Sequence, residues 1–288
     1  MTSQADHADP HGQTGRAGLF VEIKDVDLAY GEDAESLAVQ GLNLDIREGD
    51  FVAVVGPSGC GKSTLLKLVT GLMPPTRGAV FVDGNRVNGT LSFVGMAFQN
   101  PTLLPWRDTL RNIMLPLEIV EPHRGRLRKE KAAYLERARN LLRTVGLAPY
   151  ESKQPWELSG GMRQRANLCR ALIHDPRLLM LDEPFGALDA FTREELWCVL
   201  ADLRRAKQLT VALVTHDLRE AVFLADTVHV MSSRPGRIVH SRRVDLPGPR
   251  TLETCYEPAF VDIVHELRGH IERVRCDGPQ GIADVPTA

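Results

Sequence analysis

Short runs of apolar residues in two different patterns occupy the first part of the chain. From Leu19 the sequence reads LFVEIKDVDLAYG and then GLNLDIREGD, in which apolar and polar residues alternate between turn residues. Such alternation is typical of half-buried strands in an antiparallel sheet. The next run, FVAVVG (51–56), is uniformly apolar, as expected for a strand that is buried on both faces. The pattern therefore predicts an antiparallel β lobe that leads into a buried core strand.

A helix and two further strands are predicted after this core strand. The segment KSTLLKLVTGL (62–72) follows a glycine-rich turn and has the pattern of a helix that ends near Gly71. The runs GAVFVDG (78–84) and LSFVGMAFQ (91–99) have the composition of strands. The chain thus begins its core as strand, glycine-rich loop and helix.

The apolar period becomes helical between about residues 100 and 160. The apolar positions that show this spacing are Leu135, Ala138, Leu142 and Val145. Strand and helix patterns then alternate again. The later predicted elements are the strand RLLMLD (177–182), a helix over 192–207, the strand TVALVTHD (210–217), a helix from Leu218, and a strand pair within 227–244.

These elements together predict an α/β fold with a parallel-sheet core, an antiparallel β lobe and a helical subdomain. We expect a disordered tail at 1–18 and a main domain at 19–248, with the helical subdomain at about 100–160. A helical extension and tail are expected at 249–288. We find no internal repeat, so the chain carries one such unit rather than two in tandem.

Composition narrows the class of protein. The 288 residues are 43% apolar and 25% charged, with 35 Lys and Arg against 37 Asp and Glu, so no overall basic field favours nucleic acid as a partner. No apolar run approaches the roughly 18 residues that span a bilayer, and the polar first 18 residues lack the apolar core of a secretory signal. We therefore expect a cytosolic chain.

The cysteines are far apart in the sequence, and no CxxC pair suggests a zinc site or disulfides. We therefore expect free thiols at Cys60, Cys169, Cys198, Cys255 and Cys276.

The strongest chemical signal is GPSGCGKS (56–63), which matches G-x-x-x-x-G-K-[ST] between a predicted strand and helix. Glycines let the backbone wrap phosphates, while loop N–H groups and the helix N-terminus face the anion. Lys62 can then reach the β- and γ-phosphates, and Ser63 can hold Mg²⁺. A chance match is expected on the order of once in 100 chains of this length. The motif predicts nucleotide binding, with kinases, GTPases and ATPases all open.

Two acidic residues follow a buried strand in LMLDEP (179–184). Asp182 at the carboxyl end of this strand could support Mg²⁺, and Glu183 could act as general base toward a water molecule. A solvated strand end is the alternative interpretation. His216, after TVALVT, could contact the γ-phosphate or could be structural. LSGGM (158–162) places a serine and two glycines at a helix start, which is either a second phosphate-binding terminus or an ordinary serine cap.

The motifs together resemble those of ATP-binding cassette (ABC) transporter ATPases. GPSGCGKST, FQNPTLLPW, LSGGMRQR, LMLDEPFGALD and THD occur in the order of the Walker A, Q-loop, signature, Walker B with D-loop, and H-loop, within about residues 19–240. The resemblance implies ATP hydrolysis by a head-to-tail homodimer or heterodimer. Each ATP would lie between the Walker A of one subunit and the signature of the other, which explains the second phosphate-binding helix end.

The resemblance also implies a role for individual residues. It gives Glu183 as catalytic base, His216 as γ-phosphate sensor, and Ser63, Gln99 and Asp182 as neighbours of Mg²⁺. Tyr30 would stack on adenine, although an aromatic residue at a strand end often packs instead. Asp189 would contact the other subunit, and Gln99 belongs with the catalytic set. The implied nucleotide-binding residues are Tyr30, Gly56, Pro57, Ser58, Gly59, Cys60, Gly61, Lys62, Ser63, Thr64, Ser159, Gly160, Gly161 and Asp189.

Longer runs, including QNPTLLPWRDTLRNI (99–113) and VMSSRPGRI, resemble the importer branch for nitrate, alkanesulfonates and taurine, although NLC (167–169) departs from its usual small aliphatic residues. The resemblance implies a peripheral protein at the cytoplasmic face of the membrane. Its partners would be a second ATPase subunit, a separate permease and, indirectly, an extracytoplasmic binding protein. An ABC ATPase acting on nucleic acid or ribosomes is the alternative, but such relatives usually carry long coiled coils or two cassettes.

Two surface segments each allow two interpretations. The cluster Leu103-Leu104-Pro105-Trp106 beside the Q-loop could dock on the permease, or Trp106 could belong to the core. The basic segment 123–143 has eight Lys or Arg residues against two glutamates. It could touch anionic lipid headgroups or could be a solvated helix face.

Overall fold

The computed structural model describes residues 18–30, 37–186 and 188–276. The tail predicted at 1–18 lies outside these residues except for Gly18, as do residues 277–288 of the predicted C-terminal tail. The strands are β1 (Leu19–Ala29), β2 (Leu37–Arg47), β3 (Phe51–Val55), β4 (Arg77–Val82), β5 (Asn85–Arg86), β6 (Val94–Ala97), β7 (Leu178–Asp182), β8 (Thr210–Thr215), β9 (Thr227–Met231) and β10 (Ile238–Arg243). The helices are α1 (Lys62–Val69), α2 (Thr109–Met114), α3 (His123–Arg126), α4 (Lys131–Thr144), α5 (Gly160–Leu172), α6 (Ala190–Lys207), α7 (Leu218–Leu224) and α8 (Pro258–Cys276).

A six-stranded sheet forms the centre of the fold, in the order β10-β9-β3-β8-β7-β6. Its strands are parallel except for β10, which pairs antiparallel with β9. All residues of β3 and β8 are buried, because the sheet is covered on both faces and their sequences are rich in valine. The carboxyl ends of β3, β8, β7 and β6 therefore lie side by side at one edge of the sheet. This is where ligands collect in open α/β sheets.

The predicted antiparallel lobe is confirmed as a four-stranded sheet in the order β2-β1-β4-β5. Alternating side chains of β1 and β2 are buried, which explains the alternating sequence pattern. These side chains form a hydrophobic core with one face of β3 and with α1. The lobe thereby fixes the position of the loop that joins β3 to α1.

Helices α2 to α4 occupy the predicted helical subdomain. Ala138, Leu142 and Val145 are buried as the periodicity predicts, and Leu135 is partly buried against the same core. The charged residues of the basic segment lie mainly on the solvated side of α3 and α4, and whether they contact lipid stays a hypothesis. In the described part of the chain, no helix combines the length and apolarity needed to cross a membrane.

The C-terminal helix α8 packs against α7 and β9. Before it, the partly buried Arg250 closes the end of α7 with three hydrogen bonds from Nη1, to the carbonyl oxygens of Val222, Phe223 and Ala225 at 2.7–3.0 Å. These are carbonyls that a helix end leaves unpaired. The described cysteine side chains, Cys60, Cys169, Cys198 and Cys255, are free thiols as predicted.

Candidate functional site

The loop between β3 and α1 is shaped by its glycines. Gly59 and Gly61 have φ angles of 76° and 101°, in the region where residues with a Cβ are strained. A Cβ on Gly56 would lie 2.8 Å from the carbonyl oxygen of Met231, so a side chain cannot be accommodated there. No side chain caps α1. Its first backbone N–H groups are therefore available to an anion, as the sequence predicts.

Lys62 is folded into this loop and is only 6% exposed. Its ammonium donates to the carbonyl oxygens of Gly56 and Pro57 at 3.0 and 2.9 Å. The charge is thus held next to the open N-terminus of α1, where a phosphate would replace the carbonyls as its partner. Burial raises the pKa of the neighbouring Cys60, which favours its neutral thiol form.

Ser63 and Asp182 bring the two phosphate-site motifs into contact. Ser63 Oγ donates to Asp182 Oδ1 at 3.0 Å, across 119 residues of sequence. Burial raises the pKa of Asp182, while the hydrogen bond from Ser63 opposes this shift. With the amide oxygen of Gln99, these groups supply the hard oxygen donors that Mg²⁺ prefers. The donor set therefore fits the predicted metal.

Glu183 is the centre of the second cluster. Its Oε2 accepts a hydrogen bond from Gln99 Nε2 at 3.2 Å and lies 3.2 Å from His216 Nδ1. The three residues come from the ends of β6, β7 and β8, which are neighbours in the sheet. Glu183 has a φ angle of 44°, an unusual conformation for a residue with a side chain, and its N–H donates to Val214 O at 2.8 Å. A strained backbone of this kind is found preferentially at functional sites.

Tyr30 lies against the phosphate loop. Its hydroxyl is 2.9 Å from Thr64 Oγ1, and the Lys67 ammonium is 5.7 Å from the centre of its ring. The residue is 43% exposed, so it is not a core residue. An accessible ring at this place agrees with stacking on a nucleotide base.

Ser159 caps α5, accepting a hydrogen bond from the N–H of Met162 at 3.2 Å. Ser159 is exposed, and Gly160 and Gly161 are partly exposed. A Cβ on Gly161 would lie 3.1 Å from Thr192 Cγ2, so the signature adjoins the start of α6. Within the described residues, no hydrogen bond or ion pair joins Ser159–Gly161 to residues 56–64. The structure leaves this helix end without a partner from the phosphate loop of its own chain.

Three polar residues at three-residue intervals along α5 hold the Q-loop segment. Gln164 and Asn167 are fully buried, which is unusual for residues of this polarity. Asn167 is the first residue of the departure NLC, and its Oδ1 accepts from Arg170 Nη2 at 2.8 Å. The sequence patterns missed this role and hold no local signal for it, because the burial of Gln164 and Asn167 is a product of the tertiary structure. The bonds to carbonyl oxygens are Gln164 to Gln99 at 2.6 Å, Asn167 to Phe98 at 3.1 Å and Arg170 to Thr102 at 2.7 Å.

A second missed residue, Arg193, connects the D-loop to the H-loop. Its guanidinium donates to Leu188 O and to Asp217 Oδ2, both at 3.0 Å. Asp217 follows His216 and caps α7 through the N–H groups of its first turn. The neighbouring Asp189 caps α6, and hydrogen bonds from the backbone there lower the pKa of its carboxyl group. Asp189 is exposed and faces outward from the chain.

Known proteins are similar to this chain in sequence and in fold. A family model described as ABC transporter matches residues 39–186. The aliphatic sulfonates import ATP-binding protein SsuB of Bacillus licheniformis is 42% identical over 81% of this chain and 88% of its own. The nitrate import ATP-binding protein NrtD of Synechocystis sp. is 38% identical over 92% of this chain and 100% of its own. A dimeric ATP-binding cassette in a post-hydrolysis state, bound to ADP and Pi, is similar with a TM-score of 0.67 at 30% identity, over 79% of this chain and 100% of that chain.

Proposed function

Because this chain belongs to the ABC transporter family, as an ATP-hydrolysing subunit of an importer, we propose that it powers uptake of a small nitrate-like, sulfonate-like or taurine-like solute. The similar proteins SsuB and NrtD are named for the import of sulfonates and nitrate. The observation that carries the ATPase chemistry is the Glu183 carboxylate, positioned between Gln99 and His216 directly after Asp182. The alternative activity on nucleic acid or ribosomes is not favoured by these relatives.

The proposed reaction is attack of water on the γ-phosphate of ATP. The loop N–H groups and Lys62 bind the phosphates, and Glu183 accepts the proton of the attacking water. Gln99 and His216 hold the Glu183 carboxylate and line the same position. Ser63, Gln99 and Asp182 would hold Mg²⁺, which when bound neutralises phosphate charge.

We propose that two subunits associate head to tail, with Ser159, Gly160 and Gly161 of one completing the ATP site of the other. The support is that this helix end is exposed or partly exposed and makes no hydrogen bond or ion pair with its own phosphate loop among the described residues. The exposed Asp189 caps α6, whose residue Thr192 lies beside Gly161. A similar cassette is dimeric in the post-hydrolysis state. An isologous interface would create two equal sites.

The proposal places the dimer at the cytoplasmic face of the cell membrane, bound to a separate permease that receives solute from an extracytoplasmic binding protein. The overall charge balance does not favour a nucleic-acid partner. The names of the similar import proteins support the permease partnership. Selectivity for the solute then resides in the permease and the binding protein rather than in this chain.

Uptake by a strain that lacks this gene tests the function. We expect uptake of labelled nitrate, taurine or an alkanesulfonate to fall to background in the deletion strain, because the permease would have no source of energy. A wild-type copy should restore uptake, and a Glu183→Gln copy should not. Uptake of a solute carried by an unrelated system is the control. Normal uptake of all three solute classes would contradict the proposed cargo.

Docking of Trp106 on the permease is part of the same proposal. Its side chain is 73% exposed, so the core interpretation is wrong, whereas Leu103 is buried. Asn112 fixes the surrounding loop by donating to the carbonyl oxygens of Leu104 and Arg107 at 3.1 and 2.8 Å. A large apolar side chain that is exposed on a hydrogen-bonded loop suits a docking surface.

We expect Trp106→Ala to reduce uptake strongly, because it removes apolar contact with the permease but no contact of the core. ATP hydrolysis by the isolated subunit should stay within about twofold of wild type, as surface substitutions rarely alter the fold. Tyr256→Ala, at an aromatic residue that is 71% exposed, is the matched control. Uptake that survives Trp106→Ala would exclude Trp106 from docking.

A further inference from the structure

Three side chains with metal-binding chemistry meet where α8 packs beside β10. They are His240 on β10 and Glu266 and His270 on α8. His240 Nε2 lies 3.3 Å from Glu266 Oε1. One potential ligand atom from each residue can be chosen so that all three lie within 4.8 Å of one another. Glu266 and His270 are four residues apart, so they project from one face of the helix.

Two imidazole nitrogens and one carboxylate oxygen form a ligand set typical of zinc and of neighbouring divalent transition metals. Such ligands lie about 2.0–2.2 Å from the ion, so their atoms must come within about 4 Å of one another. The observed cluster is close to that size. We propose that His240, Glu266 and His270 bind a divalent zinc-like ion that joins the C-terminal helix to the strand β10.

The surroundings of Glu266 fit this role. Arg242 Nε donates to Glu266 Oε2 at 3.0 Å, which orients the carboxylate and leaves Oε1 directed toward His240. Hydrogen bonds of this kind to ligating carboxylates are a regular part of metal sites. The charge of Arg242 is shared with Asp245, whose Oδ2 lies 3.5 Å from Arg242 Nη1. Arg242 therefore acts as an outer partner of the site rather than as a competing cation.

The two imidazole rings must turn when the ion binds. In the structure they are stacked, with centroids 3.7 Å apart and an angle of 11° between the planes. An ion lies close to the plane of each ring that ligates it, so two parallel rings cannot direct their lone pairs at one point. Both side chains are partly exposed, which leaves room for rotation about the Cβ–Cγ bonds. Binding of the ion would therefore separate the stacked rings.

The ion would strengthen the packing of α8 on the rest of the fold, which the described residues otherwise stabilise with few polar contacts. One turn beyond His270, Ser233 Oγ donates to Val274 O at 3.2 Å. Apolar side chains such as Phe260, Ile263 and Leu267 supply the buried face of the helix. A metal that binds the docked helix but not the released helix stabilises docking by mass action. The site shares no residue with the ATP site.

Zinc titration of the full chain tests the proposal. The protein is stripped with a chelator, nucleotide and Mg²⁺ are omitted, and Zn²⁺ binding is followed by calorimetry in wild type, His240→Ala and His270→Ala. His265→Ala is the matched control, because His265 is an exposed residue of the same helix. Loss of an outer partner alone typically weakens binding by 10–100-fold, so loss of a ligand should weaken one equivalent by at least about tenfold.

Amide hydrogen exchange in residues 258–276 is the second readout. Zn²⁺ should slow exchange of α8 in wild type and in His265→Ala, and should have no such effect in the two ligand variants. Circular dichroism and unchanged basal ATP hydrolysis establish that the variants are folded. If His240→Ala does not fold, His270→Ala alone is sufficient for the test. Failure of wild type to bind zinc would overturn the proposal. Equal zinc binding in all four proteins, as expected for an ion on other histidines, would overturn it as well.

Discussion

Replacement of Glu183 by glutamine is expected to lower steady-state ATP hydrolysis by about 10²–10⁴-fold, the usual contribution of a positioned general base. This corresponds to a barrier raised by about 3–5 kcal/mol. An amide cannot accept the proton of the attacking water, but it has nearly the shape of the carboxylate. Gln99 and His216 contact Glu183 through its Oε2, and the substitution leaves Lys62 and Ser63 unchanged. ATP binding should therefore persist.

Phosphate release and nucleotide affinity measured on the same samples check this expectation. Glu136→Gln is the control, since it removes a carboxylate from an exposed ion pair with Arg143 on α4. That variant should hydrolyse ATP at the wild-type rate. Turnover of Glu183→Gln close to wild type would assign the base to another group. Loss of ATP binding would instead indicate that Glu183 has a structural role.

The second large effect concerns the sharing of sites between subunits. Lys62 and Ser159 each begin a helix, and we propose that they serve the same ATP from opposite subunits. When Lys62→Ala and Ser159→Arg are placed in one subunit and paired with wild type, each site receives one lesion. Hydrolysis should then fall to background. When the lesions are divided between subunits, one site receives both and the other is intact, so about half of the wild-type rate should return.

Mixed dimers purified through two different tags allow this comparison. ATP-dependent dimerisation is measured on the same preparations, because a requirement for two working sites would suppress hydrolysis even with one intact site. In that case the divided pair should still dimerise better than the other pair. Identical hydrolysis and identical dimerisation in the two pairs would exclude completion of the site in trans.

Sequence patterns predicted the parts of the fold that local chemistry determines. The buried strand β3, the glycine loop and α1 are adjacent in sequence, and their geometry depends on residue types that are visible there, such as Gly59 and Gly61. The same holds for Asp182 and Glu183 at the end of β7. Strand order was not predictable in detail, because it depends on packing between segments far apart in the chain.

The missed residues act over long sequence separations. Arg193 bonds to Asp217, 24 residues away, and Asn167 to a carbonyl 69 residues away. Neither contact has a local signature, and the asparagine looked like a departure from the importer pattern. The positive φ angle of Glu183 is likewise a product of tertiary structure, since no local preference favours it. The exposure of Trp106 also depends on the tertiary structure of its loop, so the sequence alone left two interpretations open.

The hydrogen bonds from three side chains of α5 to the Q-loop segment have a thermodynamic consequence. The helix begins at the signature, and side chains in its middle bond to the carbonyl oxygens of residues 98, 99 and 102. A displacement of the Q-loop segment is therefore transmitted to the signature through α5. If a docked permease shifts this segment, it changes the free energy with which the signature closes on ATP. Linkage requires the reverse effect to be equal in size. The nucleotide must then alter the conformational balance of the permease by the same amount, so the strength of coupling can be measured from either side of the interface.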